Sequence, residues 1–238
     1  MKTLGVIGGL GPMATALFMQ LITSMTKADC DQQHIEMIIR SIPSTPDRTA
    51  YLLGKSGESP LPSVLSAARK LEEDNVACIA IPCVTMSCFM DRLRAGLDVA
   101  VLDIVEETAE YLHSRGVKCA GIMATDGTIH FGHFQRALEQ RGIRPVVPDA
   151  DMQTHVQEVI YSRVKKNLPV DCGRFGTVAD SLKANGAECV ILGCTELSVV
   201  KRDNCISGGY IDALEVLAGC CVTECGAELL PQYNNLIN

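Results

Sequence analysis

The chain has 238 residues, enough for one large α/β domain or two small ones with a sizeable core. Hydrophobic residues make up 47% and charged residues 21%, which is typical of a globular protein and argues against disorder. The net charge of -7 argues against nucleic acid or an anionic membrane as the main partner, since basic patches bind both. With no apparent secretory signal and no spanning apolar run, we expect a cytoplasmic protein.

The chain contains twelve cysteines, a large number for its length. A disulfide framework is not expected, because the chain is too long for a small secreted scaffold. No two cysteines have the Cys-x-x-Cys spacing of a zinc site, so we predict no metal. Most of these thiols are therefore expected to be small buried hydrophobic groups. This interpretation applies to Cys30, Cys78, Cys119, Cys189 and the group at 220–225.

Short apolar segments alternate along the chain with segments of helical periodicity. Continuous apolar strands separated by helices predict an α/β fold with parallel sheets covered on both faces. In chain order, the predicted strands are Leu4–Ile7, Ile35–Ile39, Ala77–Ile81, Ala100–Val105, Ala120–Met123, Pro145–Val147 and Cys189–Leu192. The predicted helices are Ala14–Met25, Pro62–Asp74, Ile104–Arg115, Phe131–Arg141, Met152–Lys165, Phe175–Asn185 and Ala213–Cys225.

A weak internal repeat divides the chain. The segment Leu71–Cys83 aligns with Leu182–Cys194, and each is a helix end, a turn, a buried strand and then a cysteine. The segment Gly5–Gly11 aligns likewise with Gly121–Gly127. We therefore predict two similar parallel-sheet α/β halves related by a pseudo-twofold axis, with the active site in the cleft between them. Residues 1–105 with 208–238 would form the first half, and 106–207 the second.

The repeat puts Cys83 and Cys194 directly after equivalent strands. Ligands of open parallel sheets bind beyond the carboxyl ends of the strands, so two such ends facing each other would put a thiol on each side of one small ligand. Two acid/base groups on opposite faces of a tetrahedral carbon are what a two-base racemase needs. A thiol suits this task because its ordinary pKa of about 8.5 allows one group to be ionised and the other protonated with modest tuning.

Several motifs give the chain a resemblance to a known family. They are LGVIGGLGPMAT at 4–15, SIPSTPDRTAY at 41–51, PCVT at 82–85, ATDGT at 124–128, IYSRVKK at 160–166 and GCTEL at 193–197. In this order and spacing they make the chain similar to the aspartate/glutamate racemase superfamily, and specifically to its aspartate racemase branch. The resemblance implies a homodimer without a cofactor that acts on a small amino acid or dicarboxylate.

The resemblance also implies roles for individual residues. Cys83 and Cys194 would be the acid/base pair, and Arg48 would bind the distal carboxylate with help from Lys165; the alternatives are a surface arginine and a solvated lysine. Glu196 would either orient a thiol or cap a helix. The remaining predicted residues hold the α-carboxylate or amino group (Thr85, Thr125, Thr128 and Thr195) or line the pocket (Gly8, Gly9, Met13 and Val84).

The first cysteine departs from the family pattern of Cys-Asn-Thr followed two residues later by histidine. Here Val84 and Ser87 stand at those two positions. Valine offers no hydrogen bond to a substrate, and a polar partner left unpaired in a buried site costs about 1–3 kcal/mol. Three interpretations follow: a different amino acid is bound, another residue supplies the lost contact, or activity is feeble.

The leading functional hypothesis is racemisation of an acidic amino acid, with aspartate first and glutamate second. One alternative is a related enzyme that uses a cysteine to decarboxylate or isomerise a small dicarboxylate. The other is a dicarboxylate or amino-acid binding protein in which Val84 and Ser87 have impaired catalysis.

Overall fold

The computed structural model describes residues 1–204, 206 and 208–237, and only the backbone of Asn204. Within these residues the strands form two four-stranded parallel sheets with the orders β2-β1-β3-β4 and β6-β5-β7-β8. The predicted fold of two similar α/β halves is therefore confirmed. The strands are β1 Leu4–Gly8, β2 Met37–Ser41, β3 Cys78–Ala80, β4 Ala100–Leu102, β5 Cys119–Ala124, β6 Arg144–Val146, β7 Cys189–Gly193 and β8 Tyr210–Asp212.

Helices cover both sheets. They are α1 Pro12–Met25, α2 Arg48–Leu52, α3 Leu61–Glu73, α4 Met90–Arg94, α5 Ile104–Ser114, α6 Asp126–Phe131, α7 His133–Glu139, α8 Ala150–Gln157, α9 Cys172–Ala184, α10 Thr195–Asn204 and α11 Ala213–Glu224. A π-helix at Glu158–Arg163 continues α8, and 3₁₀ helices lie at Asp31–Gln33, Val84–Phe89, Val164–Lys166 and Pro231–Tyr233.

Most predicted elements shift by one to three residues at an end, and three differ in ways that the structure explains or describes. The strand predicted at Ala100–Val105 ends at Leu102, because the Asp103 side chain accepts a hydrogen bond from the Val105 amide and caps α5. The helix predicted at Phe131–Arg141 begins at His133, because Gly132, whose φ of 66° lies in the left-handed region, separates it from the preceding helix at Asp126–Phe131. The helix predicted at Met152–Lys165 changes to π and then 3₁₀ geometry after Gln157. Strand β8 and the helices α2, α4, α6 and α10 were not among the predicted elements.

The internal repeat is visible in how the central strands pack. A Cβ on Gly5 would lie 3.2 Å from Leu71 and 2.9 Å from Val76. A Cβ on Gly121 would lie 3.0 Å from Leu182 and 3.3 Å from Ala187, the residues that the alignment pairs with Leu71 and Val76. Glycine in the middle of each central strand thus allows the same helix end to approach the sheet closely.

The buried core lies on both faces of the sheets. One hydrophobic cluster includes β1, β3, β5 and β7 residues together with α11, so it joins the two sheets. Two further clusters cover the opposite faces, and they contain Cys83 and Cys194 respectively. The C-terminal helix α11 packs on α1 and α5. The predicted division of the chain at residue 105, with return of 208–238, stays a prediction.

Most described cysteines outside the candidate site are buried. Cys78, Cys119, Cys189, Cys221 and Cys225 are buried as predicted, and Cys220 is half-buried. Cys30 is exposed, so the prediction that it is buried was wrong. Among the helices of residues 1–204, 206 and 208–237, none is both long and apolar enough to cross a membrane.

The turn after β1 depends on Gly9. Its φ is 87°, and a Cβ there would lie 2.6 Å from the Ile42 amide nitrogen. We expect Gly9→Ala to destabilise the protein by about 1–3 kcal/mol, because an alanine at this positive φ would be strained and its Cβ would clash with the backbone of Ile42. Gly54→Ala is the matched control, since Gly54 also has a positive φ but nothing lies near its absent Cβ. Thermal unfolding measures both, and equal Tm values for the two variants would contradict the expectation.

Candidate functional site

The two candidate thiols begin equivalent turns. Cys83 follows β3 and starts the 3₁₀ helix at Val84–Phe89, while Cys194 joins β7 to α10. The Cys83 carbonyl accepts from the Met86 amide at 3.0 Å, and the Cys194 carbonyl accepts from the Leu197 amide at 2.8 Å. Each cysteine is 6% exposed. The two sheets therefore present their thiols in the same local geometry.

Both thiols line one small cavity between the two sheets. Its volume is about 10 Å³, close to the least space that holds one water molecule. Predicted site residues share this lining with residues that were not predicted. The lining comprises Leu10, Asp47, Arg48, Thr49, Cys83, Val84, Thr85, Thr125, Tyr161, Lys165, Cys194, Thr195 and Glu196.

A larger pocket adjoins this cavity. Its volume is about 510 Å³, and its lining includes the predicted residues Gly9 and Met13. Arg48, Lys165 and Glu196 line both spaces, so they form the boundary between them. Gly8 lines neither: it ends β1 against Thr15, whose Cγ2 would lie 2.2 Å from a Cβ at Gly8.

Glu196 contacts the second thiol directly. The Cys194 Sγ donates to Glu196 Oε2 at 3.0 Å, and Glu196 is 5% exposed. Its other oxygen, Oε1, is buried without a hydrogen-bond partner among the described residues and lies where it would meet a Cβ on Gly11. Burial, followed by the negative charge of Glu196, raises the pKa of the Cys194 thiol well above its ordinary value. Both effects favour the protonated form of the Cys194 thiol.

A cation lies near each thiol. Arg48 donates to the Leu10 carbonyl at 3.0 Å, and although burial acts to lower its pKa, the nearby Cys83 raises it overall. Lys165 is 3.7 Å from Asp47 Oδ2. Burial likewise acts to lower the pKa of Lys165, but Glu196, Tyr161 and Cys194 raise it overall. Neither basic residue is a freely solvated surface side chain.

Threonine hydroxyls connect the loops of the two sheets. The Thr125 Oγ1 lies 3.4 Å from that of Thr85 and 3.1 Å from that of Thr128, and it accepts from the Thr49 Oγ1 at 3.3 Å. Thr85, Thr125 and Thr195 line the cavity, whereas Thr128 lies behind it against Thr85 at 3.3 Å. Hydroxyls that both donate and accept can turn toward a carboxylate or an ammonium group.

The two departures from the family pattern have different surroundings. Val84 is 3% exposed, lines the cavity and packs in the core cluster that joins the sheets. Ser87 does not line the cavity; its hydroxyl donates to Asp103 Oδ1 at 2.5 Å. The side chain of Val84 therefore shapes the cavity beside Cys83, while Ser87 makes a hydrogen bond outside the cavity.

Sequence reasoning missed three polar residues of the site. Asp47 caps α2 and contacts Lys165, Thr49 contacts Thr125, and Tyr161 lies beneath the Lys165 ammonium, which is 4.1 Å from the ring centroid. All three lie within the motifs at 41–51 and 160–166, which was the available signal. Their part in the cavity depends on α2 and on the π-helix, neither of which the sequence pattern predicted.

Comparison with known proteins gives one consistent family. The family model described as Asp/Glu/Hydantoin racemase matches residues 7–219. A broad-specificity amino-acid racemase of Bacillus subtilis strain 168 is 24% identical over 203 residues, covering 83% of this chain and 86% of its own. The aspartate racemase of Picrophilus torridus has a similar structure, with a TM-score of 0.83, 27% identity and 98% of each chain covered. A glutamate racemase of Francisella tularensis, solved with D-glutamate, shares the fold at a TM-score of 0.60 and 16% identity over 100% of this chain and 83% of its own. The chain belongs to the Asp/Glu/hydantoin racemase family.

Proposed function

We propose that the protein is an amino-acid racemase that interconverts the enantiomers of an acidic amino acid, without a cofactor, by a two-base mechanism. The observation that carries the proposal is the cavity lined by both Cys83 and Cys194. Two thiols on one small space, each beginning an equivalent turn, are the arrangement that removal and return of a proton on opposite faces requires.

The proposed reaction is a balanced pair of proton transfers. One cysteine, as thiolate, takes the α-proton, so a sulfur–hydrogen bond forms as the carbon–hydrogen bond breaks. The electron pair of that bond passes into the α-carboxylate, giving a planar, enolate-like intermediate. The other cysteine, as thiol, then donates its proton to the opposite face of the carbon. The two sulfurs exchange roles when the other enantiomer is the substrate.

The charges around the thiols support this chemistry. The cations of Arg48 and Lys165 would bind the distal carboxylate of an acidic substrate beside the thiols, in a site largely closed to water. The hydrogen bond from Cys194 to Glu196 favours a protonated Cys194, while Arg48 beside Cys83 provides a cation for a thiolate there. We therefore propose Cys83 as the base and Cys194 as the acid of the resting enzyme.

We propose aspartate as the first substrate and glutamate as the second. The cations Arg48 and Lys165 border the pocket of about 510 Å³ beside the cavity, which supports a substrate with a distal carboxylate. Similarity to the Picrophilus torridus aspartate racemase favours the shorter acid. A homodimer in the cytoplasm belongs to the same proposal.

The test follows both enantiomers of aspartate, glutamate and alanine with the protein in deuterated water. Racemisation is expected as loss of optical rotation together with exchange of the α-proton for deuterium, fastest for aspartate. Binding of aspartate without exchange would favour the binding-protein alternative. Release of carbon dioxide, or isomerisation of a dicarboxylate, in place of exchange would favour the single-cysteine alternative.

A charge-neutral residue at position 196 is expected to shift the pH profile. Because Glu196 helps to raise the pKa of Cys194, Glu196→Gln should lower that pKa, and Cys194 should ionise at a lower pH than in the parent protein. The limb of the kcat/KM profile that reports Cys194 ionisation should therefore move to lower pH. The pH dependence of the rate of Cys194 alkylation, followed by peptide mass spectrometry, should move in the same direction. Glu196→Asp, which keeps the charge, is the control. An unchanged profile, or a shift to higher pH, would contradict this role of Glu196.

A further inference from the structure

Behind each candidate thiol lies a buried serine–aspartate contact. Ser87 and Ser198 each stand four residues after a cysteine, in the turns that Cys83 and Cys194 begin. The Ser87 hydroxyl donates to Asp103 Oδ1 at 2.5 Å, and the Ser198 hydroxyl donates to Asp212 Oδ1 at 2.7 Å. The internal repeat is therefore continued by a pair of contacts that the alignment of strands alone does not reveal.

The two aspartates also have equivalent positions in the fold. Asp103 directly follows β4, and Asp212 ends β8. These strands pair with β3 and β7, the strands that precede Cys83 and Cys194 in the chain. Each aspartate also caps the next helix, accepting on Oδ1 from the Val105 amide at 3.0 Å or the Leu214 amide at 2.9 Å. One carboxylate thus joins the thiol-bearing turn to the neighbouring strand and to the start of a long helix.

Both contacts are buried and lie outside the cavity that the two thiols line. The four residues are between 1% and 5% exposed, and none of them lines the cavity. A hydrogen bond to a carboxylate is about twice as strong as one between neutral groups, and a buried carboxylate is costly to leave unpaired. A turn held in this way has little freedom to rotate its cysteine.

We propose that Ser87–Asp103 and Ser198–Asp212 are matched positioning contacts, each of which holds one of the two thiols at the angle needed to reach the α-carbon. The inference rests on the proposed two-thiol racemase. It also accounts for Ser87, which stands where the family pattern has histidine. With serine at this position, the first half has the same serine–aspartate contact as the second, and this contact positions Cys83.

The test is a pair of variants, Ser87→Ala and Ser198→Ala. A misplacement of about 1 Å can cost about 10²-fold in rate, so we expect kcat to fall about ten- to a hundredfold with little change in KM. In Ser87→Ala, α-proton exchange should slow mainly for the enantiomer whose proton Cys83 removes, and in Ser198→Ala mainly for the other. The matched control is Ser63→Ala, since the Ser63 hydroxyl donates to the Pro60 carbonyl at the start of α3. The ratio of the two exchange rates should be unchanged in this variant.

A second readout does not need turnover. The readout is the rate at which iodoacetamide alkylates each thiol, followed by peptide mass spectrometry. This rate should change at Cys83 in Ser87→Ala and at Cys194 in Ser198→Ala, while the other thiol keeps its parental rate. Ser→Thr at either position keeps the hydroxyl and should restore the exchange ratio. If an alanine variant does not fold, Asp103→Asn and Asp212→Asn keep the cap and the acceptor oxygen but weaken the bond, and the same asymmetry should appear in smaller degree.

The outcomes separate this inference from the proposed function. Racemisation by the parent protein with equal effects of both serine variants on both enantiomers would overturn the positioning role and leave the racemase proposal standing. Absence of racemisation would sink the proposed function, whereas the alkylation pattern would still decide whether each serine positions its own cysteine. Identical alkylation rates in parent and variants would also overturn the inference.

Discussion

Cys194→Ser and Cys83→Ser are each expected to slow racemisation by about 10²–10⁴-fold, the range that a positioned acid or base contributes. Serine keeps nearly the shape of the side chain, but its hydroxyl ionises far less readily than a thiol. It is consequently a poor base toward carbon at neutral pH. The measurement is the initial rate of change of optical rotation from each enantiomer of aspartate.

A variant with one thiol left should also lose the symmetry of the reaction. The remaining cysteine can still remove a proton from the enantiomer that faces it, so α-proton exchange should persist for that enantiomer while inversion is lost. Cys83→Ser and Cys194→Ser should retain exchange for opposite enantiomers. Cys88→Ser is the control, because Cys88 lies on the 3₁₀ helix that follows Cys83 but contacts His133 and does not line the cavity. Undiminished racemisation in both active-site variants would sink the two-thiol mechanism.

The second large effect is expected at Arg48. Arg48→Met removes the cation between the cavity and the larger pocket, and truncating one side of a buried charged contact costs about 2–5 kcal/mol, or roughly 30- to 4,000-fold. We expect kcat/KM for aspartate to fall within this range. Because alanine has no distal carboxylate, its kcat/KM should fall less, only by the part due to the contact of Arg48 with Cys83.

Arg48→Lys distinguishes charge from geometry. The lysine keeps the positive charge but not the planar fork, which also donates to backbone carbonyls of Leu10 and Pro46. Its loss of aspartate activity should therefore lie between that of the parent protein and that of Arg48→Met. Equal losses for aspartate and alanine in Arg48→Met would show that Arg48 serves the fold or Cys83 alone, and would remove the main support for an acidic substrate.

The parts of the fold that the sequence predicted well are those with a strong local signal. The central strands carry nearly continuous apolar residues, so β1, β3, β5 and β7 were recognised close to their observed bounds. Strand β8 has three residues and α2 has five, and neither was among the predicted elements. Gly132 left no mark in the helical pattern, although its left-handed backbone divides α6 from α7.

For the candidate site, most residues that line the cavity could be named from motif and repeat, but several contacts between them could not. Tyr161 and Lys165 meet on a π-helix and 3₁₀ turn, and no hydrophobic period distinguishes that geometry from an ordinary helix. Ser87 was interpreted as a lost histidine, because its partner Asp103 follows a different strand. Contacts of this kind depend on the register between strands, which a single sequence does not display.

The cavity of about 10 Å³ between the thiols is far too small for an amino acid. A substrate reaches both sulfurs only if the loops of the two sheets separate and then close over it. Among the contacts that would break are the hydroxyl–hydroxyl hydrogen bonds of Thr125 with Thr49 and Thr85, at 3.3 and 3.4 Å. Hydrogen bonds of this length exchange readily with water. In the proposed reaction, each turnover would therefore contain an opening and a closing step besides the two proton transfers.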